Sequence, residues 1–262
     1  MFSFATGRVE ERGMGLFRAL LRWSLSLVFN LVLGIGMLCF HIWLVAAKLF
    51  GYRPYIWSYH MVAGCILAAL RLAGCGVRIR RDFPLPLNRP LLVVSNHQSV
   101  YDIPLICWAL REYDIKFIAK RELGRFIPAV SHAIRNSGCL LIERDNPRQA
   151  IPAMRSFGRL ADQNNYAVSI FPEGTRARDG QMKKFKPAGL QVLLRSMPRA
   201  LIVPAVVRNS WLLVRYRQFP MPVGTTVELQ FLEPIERGEM EEAELIAKVE
   251  AAVREGLGSP AA

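Results

Sequence analysis

The sequence is short of the residues from which metal centres and disulfide frameworks are built. Five cysteines, at 39, 65, 75, 107 and 139, are scattered through mostly apolar stretches, and no C-x-x-C pair occurs. That spacing indicates neither a zinc site nor a disulfide scaffold, so the thiols are expected to be buried and reduced. No G-x-S-x-G elbow is present, which leaves a serine nucleophile at Ser95 or Ser99 a poor reading. No internal repeat or low-complexity tract stands out. Zinc-finger, basic-zipper and aromatic RNA-binding signatures are missing too, so nucleic acid is not an expected partner. Acidic side chains are few, 21 against 34 lysines and arginines, and their placement is uneven.

The charge is concentrated in the middle of the chain. Residues 120–217 carry 18 basic and 6 acidic side chains, whereas 228–255 carry 3 and 9. A basic middle suits an anionic membrane surface or anionic small molecules. Of the 262 residues, 52% are hydrophobic, high for a soluble enzyme and low for a polytopic membrane protein. A globular body with a local apolar segment is the expectation.

That segment lies near the N-terminus. Residues 25–47 contain no charge and are long enough to cross a hydrocarbon core as a helix. Arg8, Arg12, Arg18 and Arg22 precede them; Lys48 and Arg53 follow. A signal peptide would have a shorter apolar core and a small-residue cleavage site. After a break at 51–54, a weaker helical stretch runs over 55–73, with Tyr52, Tyr55, Trp57 and Tyr59 placed as interfacial aromatics are. Residues 1–76 are thus expected to contact a membrane, as one spanning helix with an interfacial partner or as a hairpin in one leaflet. Flanking basic residues on both sides do not choose between the two.

From about residue 77 short β-rich runs alternate with helical ones. Strands are predicted at 77–80, 91–95, 115–119, 139–142, 167–171, 201–207 and 226–231, with helices at 102–111, 150–163 and 188–196. This pattern predicts an α/β domain over 77–262, a central mixed β-sheet flanked by helices, preceded by the N-terminal apolar helical hairpin. Residues 240–257 read as an acidic amphipathic helix with Leu245, Ile246, Val249 and Val253 on one face. Its charged face is expected in solvent rather than docked on the basic body.

Two stretches carry chemistry. In Val94-Ser95-Asn96-His97-Gln98-Ser99-Val100-Tyr101-Asp102 an apolar strand ends at the histidine and a helix begins near the aspartate. A carboxylate on one imidazole nitrogen fixes the tautomer and leaves the other free to accept a proton. The second stretch, Phe171-Pro172-Glu173-Gly174-Thr175-Arg176, leaves another strand. Its glycine permits a tight turn and its arginine offers a bidentate fork for phosphate.

Together these stretches resemble the N-H-x-x-x-x-D and F-P-E-G-T-R blocks of the glycerolipid acyltransferases, above all the 1-acyl-sn-glycerol-3-phosphate (lysophosphatidate) acyltransferases. Residues 138–144 (GCLLIER), 117–123 (FIAKREL) and 202–206 (IVPAV) resemble further blocks in the family's order. One departure is Ala188, where many members place glycine two residues after the lysine of Phe185-Lys186. The resemblance implies His97 as general base, oriented by Asp102, with Lys120, Arg144, Glu173, Gly174, Thr175 and Arg176 at the acceptor site. It implies a lysophospholipid acceptor, an acyl-CoA or acyl-carrier-protein thioester as donor, and phosphatidic acid as product. Neither metal nor cofactor is expected, and the cytoplasmic face of the inner membrane is the expected location. Other lyso-lipid acceptors, and a non-catalytic lipid-binding protein, are the competing readings.

Overall fold

A computed structural model of the chain describes residues 3–124, 128–143 and 146–258. Seven strands form one sheet: β1 (Gly76–Arg81), β2 (Leu91–Ser95), β3 (Lys116–Lys120), β4 (Leu140–Ile142), β5 (Ala167–Ile170), β6 (Leu201–Arg208) and β7 (Thr226–Phe231). Their order is β1-β7-β6-β2-β5-β3-β4. All neighbours are parallel except β6 and β7, so the sheet is mixed, as predicted.

Strand β2 lies at the centre, between β6 and β5, and every residue of its Leu-Leu-Val-Val-Ser run is buried. A continuous apolar run is what a parallel strand covered on both faces requires. Leu91 and Val93 point to one helical layer; Leu92 and Val94 point to the other. The first layer holds α1 (Ser3–Leu49), α2 (Tyr52–Leu72) and α3 (Asp102–Ala109). The second holds α5 (Pro147–Gln163), α6 (Pro187–Ser196) and α7 (Glu242–Gly258). A short helix, α4 (Pro128–Asn136), joins β3 to β4 and packs against α1. The sequence pattern did not predict it. Its apolar residues Ala129, Val130, Ala133 and Ile134 do recur at helical spacing, but over only nine residues.

The two end helices meet the sheet differently. Helix α7 buries Leu245, Ile246, Val249 and Val253, and its Glu242 lies 2.9 Å from Arg195. Its apolar face is therefore docked, as the amphipathic pattern predicts, while Glu241, Glu244, Lys248 and Glu255 are exposed, as expected of the charged face. Burying an aliphatic side chain stabilises by about 1.5–3 kcal/mol, more than an exposed acidic face gains from staying free. Helix α1 extends the predicted 25–47 run at both ends. It turns inward a narrow stripe of Ser26, Phe29, Leu33, Met37, Phe40, Leu44 and Ala47. Leu27, Leu31, Ile35, Leu38 and Ile42 face outward and are exposed.

Beneath α1, α2 is half core. Tyr55, Tyr59, Val62, Leu67 and Leu70 are buried among residues of α3 and the sheet. Tyr55 and Tyr59 are thus core residues instead of interfacial aromatics, while Trp57 stays exposed. Gly64 lets α2 reach the Trp108 ring, where a Cβ would stand 2.6 Å from the indole. Cys39 and Cys65, expected to be buried, are exposed on α1 and α2.

Candidate active site

The site lies at the carboxyl ends of the parallel strands, where open α/β sheets bind ligands. His97 lies two residues past the end of β2, and Asp102 opens α3 with its carboxylate wholly buried. A carboxylate in the first turn is favoured by the N–H groups a helix leaves unpaired there. Asp102 Oδ2 accepts from His97 Nδ1 at 2.8 Å, Gln98 N at 2.6 Å and Ser99 N at 3.0 Å. An ionised carboxylate only accepts, so this contact places the ring proton on Nδ1 and leaves Nε2 with a lone pair. Phe171 stacks on the imidazole, with centroids 4.2 Å apart and planes 17° from parallel. The ring is thereby held in plane as well as in tautomer.

The two motifs, 76 residues apart, are joined by their backbones. His97 N donates to Glu173 Oε1 at 2.8 Å, and His97 O accepts from Ala177 N at 2.7 Å. Glu173 Oε2 accepts from Lys183 N at 3.0 Å. The buried Glu173 carboxylate thus ties the histidine loop to the far side of its own loop. Burial pushes its carboxyl above the usual carboxylate range, partly offset by the N–H groups of His97 and Lys183. Gly174, at φ 72°, makes the turn between them.

Beside His97 opens a cavity of about 720 Å³ lined by Gly174, Thr175, Arg176, Arg178, Asp179 and Lys183. Lys183 Nζ donates to Thr175 Oγ1 at 2.9 Å and to Arg176 O at 3.0 Å, which stiffens the basic wall. Across Gly174 and Thr175 lies a second, largely apolar cavity of about 450 Å³. Ile118, Ile142, Ile151, Met154 and Ile170 line it, with Lys120 and Lys186 among its polar groups.

The structure brings His97, Asp102, Glu173, Gly174, Thr175 and Arg176 together. Lys120 instead lines the apolar cavity and pairs with Glu122 at 3.1 Å. Arg144 lies outside the described residues. Several participants escaped sequence reasoning: Arg178 and Lys183 in the basic wall, Phe171 as the stacking partner, and Asn96 and Ser210 behind the pair. Asn96 Nδ2 donates to Val207 O and its Oδ1 accepts from Val207 N, both at 2.8 Å, locking the end of β2 to β6. Ser210 Oγ donates to Asp102 Oδ1. The basic run over 176–186 was the one signal that could have pointed to Arg178 and Lys183.

A base with a free nitrogen, a buried carboxylate behind it and a cationic wall beside it can activate a hydroxyl on an anionic molecule. Comparison with known proteins agrees with that chemistry. Residues 76–208 match the family model described as acyltransferase. A 1-acyl-sn-glycerol-3-phosphate acyltransferase of Limnanthes douglasii is 29% identical over 207 residues, 75% of this chain and 71% of that protein. Its namesake from Helicobacter pylori strain J99 is 36% identical over 133 residues, covering 48% of this chain and 54% of the relative. Among solved structures, the 1-acyl-sn-glycerophosphate (LPA) acyltransferase PlsC of Thermotoga maritima shares the fold. Its TM-score is 0.75 at 24% identity, over 92% of this chain and 96% of that one. The chain belongs to the acyltransferase family.

Proposed function

We propose that the protein transfers a fatty acyl group from a thioester to the free hydroxyl of 1-acyl-sn-glycerol 3-phosphate, yielding phosphatidic acid for phospholipid synthesis. The observation that carries this reading is His97, held by Asp102 through Nδ1, in the same cavity as Arg176, Arg178 and Lys183. His97 Nε2 takes the hydroxyl proton as that oxygen attacks the thioester carbonyl. Collapse of the tetrahedral intermediate breaks the carbon–sulfur bond, and the departing thiolate takes from His97 the proton that came from the hydroxyl. Asp102 stabilises the imidazolium between the two steps. Arg176 and its neighbours neutralise the acceptor phosphate, and the apolar cavity takes the acyl chain. Relatives named for this activity support the choice of acceptor. The donor is an acyl-CoA or acyl-carrier-protein thioester, and no metal or cofactor enters the scheme.

Membrane attachment belongs to the same reading, with the hairpin of 1–76 serving the catalytic body of 77–262 from the cytoplasmic face of the inner membrane. Helices α1 and α2 include stretches, Ala19–Leu49 and Tyr52–Leu72, that are long and apolar enough to cross a bilayer. A crossing of α1 is disfavoured by its contacts. Near the start of its apolar stretch Trp23 packs edge-on against Phe219 at 4.7 Å and Ser26 Oγ accepts from Met221 N at 2.6 Å. Near the end of that stretch, Lys48 Nζ donates to Asn136 Oδ1 at 2.6 Å. The 25 residues between 23 and 48 rise about 38 Å, more than a hydrocarbon core, at ~1.5 Å per residue. Both ends nevertheless rest on one domain. Such a helix lies along the bilayer surface and buries its outer Leu and Ile side chains in one leaflet. Exposed Arg22, Trp23, Arg215, Tyr216 and Arg217 cluster near its start, the composition of a membrane–water interface.

The test is a transfer assay with the full chain in lipid vesicles, presenting several lyso-acceptors with both donor types. Acylation of 1-acyl-sn-glycerol 3-phosphate in preference to the others is expected. Failure of every acceptor to gain a chain would sink the assignment.

A further inference from the structure

We propose that Ser210 is a positioning residue for the reaction, acting through Asp102 to hold His97 in line. This rests on the reading of His97 as base. The donors on Asp102 Oδ2 all come from residues 97–99, the loop that leads into Asp102 itself. Asn96, His97 N and His97 O tie that loop to β6 and to the Glu173 turn, but none of those bonds reaches the second carboxylate oxygen of Asp102. Oδ1 carries the outside reference: Ser210 Oγ donates to it, while Ser99 Oγ stands farther off at 3.4 Å.

Ser210 is placed there by the fold. Asn96 clamps Val207 at the end of β6, and Asn209 then turns the chain with φ 64°, in the left-handed region. The turn brings Ser210 under Asp102, where Ser210 N also donates to Gln98 Oε1 at 3.1 Å. Both Ser210 and Asp102 are fully buried, so in an alanine variant bulk water does not replace the missing hydroxyl. With Oδ1 undirected, the carboxylate is held through Oδ2 alone, and the imidazole is aimed less firmly at the acceptor hydroxyl. Small misplacements of a catalytic group carry large rate effects.

The test compares Ser210→Ala, Ser210→Thr and Ser210→Cys with His97→Ala, all as full chains in vesicles, with thermal unfolding of each. Ser210→Ala is expected to lower kcat about 10–100-fold, the range of a hydrogen bond to a charged group, with both KM values within about twofold. Ser210→Thr, which restores a hydroxyl, should return close to the native kcat, and cysteine should fall between. Alanine activity within twofold of native would overturn the proposal, as would equal losses in alanine and threonine variants that both fold. If threonine does not fold, the cysteine-to-alanine ratio decides: threefold or more supports positioning, equality refutes it. An active His97→Ala removes the base and Ser210's role together, whereas an inactive one beside a fully active Ser210→Ala removes only the latter.

Discussion

Two cavities share the turn at Gly174 and Thr175 and differ in nearly everything else. One is walled by Arg176, Arg178 and Lys183 and contains His97; the other is walled by isoleucines and Met154. Phe171 stands at the boundary, lining the apolar cavity and stacking on the imidazole of the charged one. A phosphate needs donors and cationic charge, whereas a methylene chain needs surface free of both. Under the proposed function, an amphipathic pair of substrates would sort itself across the turn, with the ester forming where headgroup and chain meet. The division also explains why Lys120, paired with Glu122 in the apolar cavity, is a weaker phosphate ligand candidate than Arg176.

The largest effect that would break this comparison is loss of the base. His97→Ala should lower kcat by about 10²–10⁴-fold, the usual worth of general-base catalysis, without changing the unfolding temperature. Retained turnover would mean that the charged cavity is not where the bond forms. Next is the phosphate: Arg176→Ala should raise KM for a phosphate-bearing acceptor about 10–100-fold. A lyso-acceptor lacking a terminal phosphate should show no such change, and a uniform loss for both would blur the two cavities into one.

Filling the other cavity sharpens its role. Ile151→Trp should disfavour the longest thioester donors at least about tenfold against short ones, since each unburied methylene forfeits ~0.8 kcal/mol. Acceptor KM should stay constant in the same assay. Glu173→Gln addresses the brace below both. Burial raises the folded carboxyl above its free value, so its protonation-linked contribution is full below the ordinary carboxylate range and declines as pH rises through the raised value. Unfolding measured between about pH 4 and 7 should show this slope in the native chain and not in the glutamine variant. The smallest effect is expected far from either cavity: Glu242→Ala, which removes the exposed Arg195 partner, should leave activity unchanged and the unfolding temperature nearly so.

Strand positions were readable within one or two residues because central strands such as β2 are unbroken apolar runs and outer ones such as β7 alternate apolar with polar residues. β2 and β7 match the predicted 91–95 and 226–231, and the other strands shift only at their ends. Helix α4 was missed because its helical spacing extends over only nine residues. The apolar face of α7 was readable from the spacing of Leu245, Ile246, Val249 and Val253, but the pairing of its Glu242 with Arg195 was not. Exposure of Cys39 and Cys65 was not readable either. An apolar helix gives no sign in its composition of which side meets protein and which side meets lipid.

For the site, local order along the chain was informative and long-range support was not. His97 and Asp102 lie five residues apart, so strand end, loop and helix start are enough to suggest their contact. The links from His97 to Glu173, from Asn96 to Val207 and from Ser210 to Asp102 cross 76, 111 and 108 residues. Two of these run through backbone groups, which every residue possesses and no motif can mark. By itself the sequence determined the α/β alternation, the apolar N-terminal segment and the residue types of a hydroxyl-activating pair beside a phosphate fork. Only the tertiary structure decided that the basic and apolar cavities are separate, that the apolar stretch of α1 touches the α/β body at both Trp23 and Lys48, and that Ser210 stands behind Asp102. Those outcomes depend on which strand ends become neighbours in the sheet, and periodicity along a chain carries no record of that order.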